Sequence, residues 1–219
     1  MNPLILIESK IKMPLMELPV NSVLVSINEK RILISPGSKN QREQYLKEWN
    51  ITDIIAPNLF HTAGIKKAYE QYPKANLWGP MGVEKKQPEL PWNNIFFQTP
   101  WPFEEQLPCL LIGGMPSFNE CVFIHVPTKT LIVTDLCFNL KNIEGFGARI
   151  ILTMFGTYNN FGISRFFSTY IRDKKTFKAS IEKLFSYDFE NIIVGHGSVL
   201  TGNAKNLILK SLKARGLNP

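Results

Sequence analysis

The chain has 219 residues, with 44% hydrophobic and 20% charged residues, which are values typical of a globular protein. This composition excludes a collagen-like, low-complexity or strongly disordered chain, and the length suits one domain, predicted over residues 1–219. The formal net charge of +7 is spread over dispersed Lys and Arg without an aromatic-plus-basic recognition module, so no nucleic-acid partner is expected. The expected partner is a small-molecule substrate. The positive net charge of the chain would favour an anionic one.

The first half of the chain is predicted to form short strands followed by helices. Hydrophobic patterning gives strands over Leu4–Glu8, Ser22–Asn28 and Arg31–Ser35, a helix over Gln41–Trp49, a strand over Ile51–Ala56 and a helix over Thr62–Tyr72. Asn28-Glu29-Lys30 is predicted to be a hairpin turn. A proline-rich stretch from Gly79 to Pro108 is expected to form surface loops around one apolar run, Ile95–Phe97.

The second half has a similar pattern. It is predicted to contain strands over Cys109–Ile112, Cys121–Val126 and Thr130–Thr134, two helical pieces within Glu144–Leu184, a strand over Asn191–Val194 and a helix over Asn203–Ala214. Pro127-Thr128-Lys129 is predicted to make a tight hairpin. Two halves that each combine strands with helices indicate sheets covered by helices, an α/β architecture.

Cysteine usage and the N-terminus bear on the compartment. The three cysteines, Cys109, Cys121 and Cys137, form no CxxC pair, which favours buried thiols in a reducing environment. The first apolar stretch is interrupted by Glu8 and lacks the apolar core of an export signal. No window offers the roughly 18 uncharged apolar residues of a spanning helix. We therefore expect a cytoplasmic protein without a transmembrane segment.

A candidate metal site comes from residues that follow predicted strands. His61 and His196 lie shortly after apolar strands, and Asp135 directly follows another. Two imidazoles and one carboxylate are a common ligand set for a divalent ion with an open position for water or substrate. Taken alone, the three residues also fit a capping histidine, a loop histidine and an aspartate bonded to backbone amides.

Two further polar residues invite a functional or a structural interpretation. His125 lies inside a predicted strand and is expected to be an exposed or hydrogen-bonded strand residue. Glu120 precedes the same strand, where it could face the site, although a solvent-exposed strand start is the favoured interpretation. Aromatic residues over Phe155–Tyr170 are expected to pack in the core or in a lid, with contact to a membrane surface as the alternative.

Four short segments resemble the metallo-β-lactamase superfamily in order and rough spacing. They are the strand and loop leading to His61, Gly113-Gly114-Met115-Pro116, Thr134-Asp135-Leu136 and Gly195-His196-Gly197. A closer similarity is to one branch of that superfamily, which is described as a domain of unknown function. It involves residues 56–61, 101–103 and 133–136. The resemblance implies a four-layer αββα sandwich with helices outside two face-to-face sheets.

The resemblance also implies a reduced metal site. The HxHxDH signature of the superfamily falls on Ala56, Asn58, Phe60 and His61, so only its last histidine is present. Met115 stands where a further histidine ligand is expected, so Ala56, Asn58 and Met115 occupy the three histidine positions of the first metal site, which the resemblance implies is lost. The second-site ligands His61, Asp135 and His196 remain. We therefore expect one divalent metal, zinc first, with iron or manganese as alternatives.

The function that follows from these patterns is a metal-dependent hydrolase acting on an ester, thioester or phosphoester. The candidate catalytic residues are Asp135, Asn58, which could orient a water or a substrate oxygen, and Glu120, a candidate outer ligand or base. The alternative is a catalytically inactive binding or scaffold protein that uses the same fold, because several ligands of the superfamily are missing. Oxygen or redox chemistry at iron is a third option, since the ligand set also suits Fe(II).

Overall fold

The computed structural model describes residues 3–13, 16–37 and 49–218. The strands are β1 (Leu4–Met13), β2 (Met16–Ile27), β3 (Lys30–Ile34), β4 (Asp53–Ile55), β5 (Asn76–Gly79), β6 (Asn94–Ile95), β7 (Cys109–Leu111), β8 (Cys121–His125), β9 (Thr130–Ile132), β10 (Phe138–Asn139), β11 (Phe161–Gly162), β12 (Asn191–Ile193) and β13 (His196–Gly197). The helices are α1 (Ile65–Gln71), α2 (Val83–Lys86), α3 (Phe146–Phe155), α4 (Arg165–Ser168), α5 (Lys174–Ser186) and α6 (Ala204–Ala214). Of the helix predicted over Gln41–Trp49, residues 41–48 lie outside the described part of the chain.

The first sheet has the strand order β1-β2-β3-β4-β5-β6. Its first three strands are antiparallel and β3 to β6 run parallel. β1 and β2 form a long hairpin that pairs from Leu4↔Val25 to Met13↔Met16, so both strands extend well beyond their predicted bounds. The short parallel strands point their carboxyl ends toward one edge of the sheet, where loops can carry functional side chains.

The second sheet has the order β12-β9-β8-β7, and a small third sheet has the order β11-β10-β13. β12 pairs parallel with β9, whereas β9-β8 and β8-β7 are antiparallel. In the small sheet, β13 pairs parallel with β10, with Phe138 opposite His196. This pairing fixes the backbone of His196 beside the end of the second sheet.

The core has the layers of an αββα sandwich. Alternate strand residues face opposite sides: Val23 and Val25 pack between the sheets against Phe123, whereas Leu24 packs outward beside Ile65 of α1. On the outer side of the second sheet, side chains of β7, β8 and β9 pack against α5 and α6. The predicted fold class, a four-layer αββα sandwich, is therefore confirmed.

One local prediction is confirmed and another differs from the structure. The tight hairpin predicted at Pro127-Thr128-Lys129 is present, because β8 and β9 pair antiparallel with His125 opposite Thr130. Its connection forms a 3-10 helix over Val126–Thr128, which Lys129 ends with a left-handed backbone at φ 48°. The region predicted as two helical pieces contains α3, α4, α5 and the strand β11. The extra boundaries arise because Ser164 and Asp173 cap new helices with side-chain oxygens that accept backbone N–H bonds.

No helix within residues 3–13, 16–37 and 49–218 combines the length and the apolar character that crossing a bilayer requires.

Candidate metal centre

Three side chains from distant parts of the sequence converge at the carboxyl ends of strands. His61 lies between β4 and α1, Asp135 follows β9, and His196 begins β13 shortly after β12. Nε2 of His61 lies 3.1 Å from Nε2 of His196 and 3.2 Å from Oδ2 of Asp135. Nε2 of His196 lies 3.4 Å from Oδ1 of the same carboxylate. One ligand atom of each residue lies within 4.8 Å of the other two, so the expected convergence is found.

These separations suit a small divalent cation. Zinc bonds of about 2.0–2.2 Å in tetrahedral geometry put neighbouring ligand atoms roughly 3.3–3.6 Å apart. The observed separations of 3.1, 3.2 and 3.4 Å are close to that range. Two nitrogen donors and one carboxylate oxygen are also the donor types that zinc accepts in sites with an open position.

The orientation of His196 leaves a lone pair facing the centre. Its Nδ1 donates to the carbonyl oxygen of Pro19 at 2.9 Å, and a carbonyl can only accept, so a neutral ring carries its proton on Nδ1. The ring of Phe138 stacks on the imidazole with a centroid distance of 5.3 Å. Nε2 is then an acceptor that faces a carboxylate oxygen, an arrangement that a shared cation stabilises.

His61 is held from the opposite side by a serine. The hydroxyl of Ser35, at the end of β3, lies 2.7 Å from Nδ1 of His61. Ser35 is buried and has a left-handed backbone with φ 54°, an uncommon conformation for a residue other than glycine. The bond directs Nε2 of His61 toward the other two ligands.

Asn58 holds Asp135 and the turn that carries His61. Its Nδ2 donates to Oδ2 of Asp135 at 2.8 Å and to Oγ1 of Thr134 at 3.0 Å. Its Oδ1 accepts the backbone N–H groups of Phe60 at 2.8 Å and His61 at 2.7 Å. Because a side-chain amide has two donor hydrogens and two acceptor positions, this buried amide is fully used. The expectation that Asn58 orients a water or a substrate oxygen is therefore replaced by a positioning role.

Glu120 binds the backbone of the turn that carries Asp135. The side chain is fully buried, contrary to the exposed strand start that the sequence favoured. Its Oε1 accepts the backbone N–H groups of Thr134, Asp135 and Leu136 at 2.9, 3.1 and 3.1 Å. The carboxyl group faces the backbone of this turn rather than the ligand atoms, because three consecutive N–H groups need an acceptor there.

The two buried carboxyl groups have opposite electrostatic environments. Burial and, to a smaller extent, the nearby Asp135 carboxylate together raise the pKa of Glu120 to about 8, against the opposing effect of the backbone N–H bonds. Burial also opposes ionisation of Asp135, but the imidazoles of His61 and His196 beside it hold its pKa well below the usual range. The site therefore keeps Asp135 ionised, which is the form that binds a cation.

A glycine turn brings His196 to the centre. A Cβ at Gly195 would lie 2.8 Å from the Cα of Thr134, so only glycine allows the two backbones to approach this closely. Asn21 of β2 stabilises this turn, because its Nδ2 donates to the carbonyl oxygens of Val194 and Gly197 at 2.8 and 2.6 Å.

A cavity of about 180 Å³ opens onto the three ligands. Ile11 and Phe60 contribute apolar walls, and the Phe60 side chain is 44% exposed. The ammonium group of Lys86 lies 4.6 Å from the centroid of the Phe60 ring, which places a positive charge at the rim. Larger cavities exist elsewhere, including one of about 410 Å³ beside Trp101, but they do not contact the ligand residues.

Several solved structures are similar to this chain over nearly its whole length. The metallo-β-lactamase from Pontibacter korlensis is 15% identical, with a TM-score of 0.65 over 97% of this chain and 96% of that chain. The DIM-1 metallo-β-lactamase is 13% identical, with a TM-score of 0.67 and coverage of 98% and 94%. The chain has the metallo-β-lactamase fold.

Two further structures share this fold at similar distances. The FIM-1 metallo-β-lactamase of Pseudomonas aeruginosa is 13% identical, with a TM-score of 0.65 over 100% of this chain and 94% of that chain. The Flv1 flavodiiron core of Synechocystis is 13% identical, with a TM-score of 0.65 over 98% of this chain and 58% of that chain. No protein-family model and no curated protein sequence matches the chain.

Ala56, Phe60 and Met115 occupy positions where the resemblance implies missing metal ligands, and none of them supplies a nitrogen or carboxylate donor. Ala56 is buried in the cluster that packs against α1, and Met115 packs in the core against the second sheet. Phe60 stacks on Phe118 with a centroid distance of 4.7 Å instead of supplying a carboxylate. His125 is buried and bonded through Nδ1 to Oγ1 of Thr128 at 2.7 Å, as expected for a hydrogen-bonded strand histidine.

Sequence reasoning missed three residues that orient the ligands: Pro19, Asn21 and Ser35. All three lie on β2 or directly after β3, far from the ligands in sequence. Their contacts are made by one backbone carbonyl, one amide and one hydroxyl, and no spacing motif marks them. Only the pairing of the long β1–β2 hairpin beside the glycine turn brings the first two into place.

Proposed function

We propose that this chain is a metal-dependent hydrolase with a single-metal site held by Nε2 of His61, the carboxylate of Asp135 and Nε2 of His196. The observation that carries the proposal is the convergence of these three ligand atoms within 4.8 Å. The similar FIM-1 enzyme is described in a mono-zinc form, which supports a single ion in this fold. Zinc is the proposed metal, and iron or manganese would be accepted by the same donors.

A divalent ion bound there would supply a Lewis acid and a water of lowered pKa. The chain's own residues prepare the site for it. Ser35 and the Pro19 carbonyl hold the two imidazoles with Nε2 facing inward. Asn58 fixes the carboxylate of Asp135, whose lowered pKa keeps it ionised.

The cavity suggests what kind of substrate is bound. The apolar side chains of Ile11 and Phe60 exclude water on two sides of the ligands, and Lys86 adds a positive charge near the rim. An ester, thioester or phosphoester that combines an apolar part with an anionic group fits these walls. The proposed substrate is therefore a small, partly apolar molecule, in keeping with the positive net charge of the chain.

The first experiment measures metal content. Protein stripped with a chelator and reloaded with zinc is analysed by mass spectrometry, and we expect one equivalent. His61→Ala and His196→Ala should each lose it, whereas the matched control His125→Ala removes another buried histidine and should retain it. Well under one equivalent in the unaltered protein, or equal loss in the control, would refute the proposed site.

The second experiment measures turnover on ester, thioester and phosphoester substrates. We expect hydrolysis of one class that chelation abolishes and zinc restores, and that His196→Ala removes. A second candidate function, a metal-binding protein without turnover, is favoured by one observation: Asn58 and Glu120 are fully engaged and offer no general base. One equivalent of zinc without hydrolysis of any of the three classes would support that candidate.

A further inference from the structure

Helices α3 and α4 present an apolar face to solvent. On α3, Phe146, Ile150 and Met154 recur every fourth residue on one side of the helix and are 80%, 45% and 64% exposed. Phe166 of α4 is 46% exposed and lies beside the end of α3, with its ring centroid 5.5 Å from that of Phe155. These four exposed side chains are called the α3–α4 face below. Clustered exposed residues of this size mark an interaction surface more often than scattered ones do.

Basic side chains accompany this face. Arg149 is exposed one residue before Ile150, and Arg165 donates through Nη1 to the carbonyl oxygen of Met154 at 2.9 Å. Residues 146–168, which span both helices, contain two Arg and no Lys, Asp or Glu, so the charged side chains of this segment are all positive. An apolar helix face edged by basic residues is the pattern of a helix that lies in the interface of an anionic bilayer.

We propose that the α3–α4 face docks the protein on the surface of an anionic lipid bilayer. The apolar side chains would enter the headgroup boundary, and Arg149 and Arg165 would contact lipid phosphates. A second copy of the chain is a poorer occupant, because two such faces would bring like charges together. The proposal does not depend on the proposed hydrolase function.

The docked face would be continuous with the rim of the metal centre. Ring centroids of Phe166 and Tyr170 lie 5.2 Å apart, and those of Tyr170 and Phe60 lie 5.5 Å apart. Phe60 lines the cavity beside His61. A chain of aromatic contacts therefore connects the proposed bilayer contact to Phe60, which forms part of the cavity wall.

Flotation of the full chain with vesicles tests the proposal. Vesicles of phosphatidylcholine alone are compared with vesicles that contain phosphatidylglycerol in addition, at low and high salt. We expect flotation with the anionic vesicles, at least about five-fold more than with the neutral ones, and a decrease as salt screens the charges. Phe146→Ser with Met154→Ser, and separately Arg149→Glu with Arg165→Glu, should each lower the floated fraction about five-fold or more.

Matched controls distinguish docking through the α3–α4 face from nonspecific binding to vesicles. Met81 is 61% exposed outside the face, so Met81→Ser should leave flotation unchanged, as should Lys66→Glu on α1. Circular dichroism checks that each variant is folded. Three results would overturn the proposal: no flotation with anionic vesicles, equal loss in the controls, or concentration-dependent dimerisation that Met154→Ser abolishes while flotation persists.

Discussion

Asn58 offers the sharpest test of how the metal centre is positioned. Asn58→Ala removes four hydrogen bonds of a buried amide and leaves two backbone N–H groups, at Phe60 and His61, without an acceptor. Net neutral bonds contribute about 0.5–1.5 kcal/mol each, and orphaned buried groups cost about 1–3 kcal/mol each. We expect the free energy of unfolding to fall by about 3–5 kcal/mol. Asn58→Asp keeps the acceptor oxygens but places a second carboxylate against Asp135.

The same variants test zinc affinity, because Asn58 orients one ligand and the turn that carries another. Loss of a residue that holds a ligand typically weakens metal binding about 10–100-fold. Urea unfolding of metal-free protein measures stability, and competition with a chromophoric chelator measures zinc affinity. Asn191→Ala is the matched control, since this amide also bonds the backbone, at Thr128 and Gly202, but contacts no ligand residue.

The control decides between positioning and general destabilisation. Zinc affinity should fall for Asn58→Ala and stay unchanged for Asn191→Ala, although both variants lose stability. If Asn58→Ala binds zinc as tightly as the unaltered protein, the amide does not position the ligands and the reasoning fails. If both variants lose affinity equally, the effect belongs to stability alone.

Three further predictions concern neighbouring residues. Because burial raises the pKa of Glu120 to about 8, folded metal-free protein keeps a proton that the unfolded chain releases above about 4.5, so stability should decrease as pH rises between these values. Urea unfolding across that range should show a weaker pH dependence in Glu120→Gln, and an unchanged slope would contradict this cause. Ser35→Ala should weaken zinc binding about 10-fold, as measured by chelator competition, because Nδ1 of His61 loses its partner. Ser26→Ala, whose hydroxyl has no partner among the described residues, should not weaken it. Gly195→Ala should lower the free energy of unfolding by about 1–3 kcal/mol, because the added Cβ would collide with the backbone of Thr134. A decrease under about 0.5 kcal/mol would show that the backbone of the turn can shift to accommodate it.

The sequence was informative where chemistry depends on residue type at strand ends. Few histidines occur in the chain, and two of them follow short apolar strands, as Asp135 does, so the sequence offered these three residues as candidate metal ligands. The resemblance to the metallo-β-lactamase superfamily favoured that interpretation over a purely structural one. Period-two alternation likewise located most strands, because one face of each strand must be buried. The lengths of β1 and β2 were not visible, since their outer halves pair with each other rather than with the core.

The roles of Asn58 and Glu120 show why the functions of the polar residues near the site could be assigned only from the tertiary structure. In sequence, both are polar residues near the site, and such residues are natural candidates to contact water or substrate. In the fold, each is buried against backbone groups that need partners: Asn58 at the His61 turn and Glu120 at the Thr134–Leu136 turn. Which polar atom serves chemistry and which satisfies the backbone depends on every neighbour within hydrogen-bonding distance.

From local patterning the sequence indicated sheets covered by helices, and from residue type it offered His61, Asp135 and His196 as candidate donors. The four-layer αββα sandwich was implied by the resemblance to the metallo-β-lactamase superfamily. Tertiary structure alone decided that one atom of each of these three side chains lies within 4.8 Å of the other two, and that Ser35 and Pro19 orient the two imidazoles. It also decided that α3 keeps an apolar face in contact with solvent. Distances between residues far apart in the chain depend on the packing of whole sheets, and no local pattern encodes that packing.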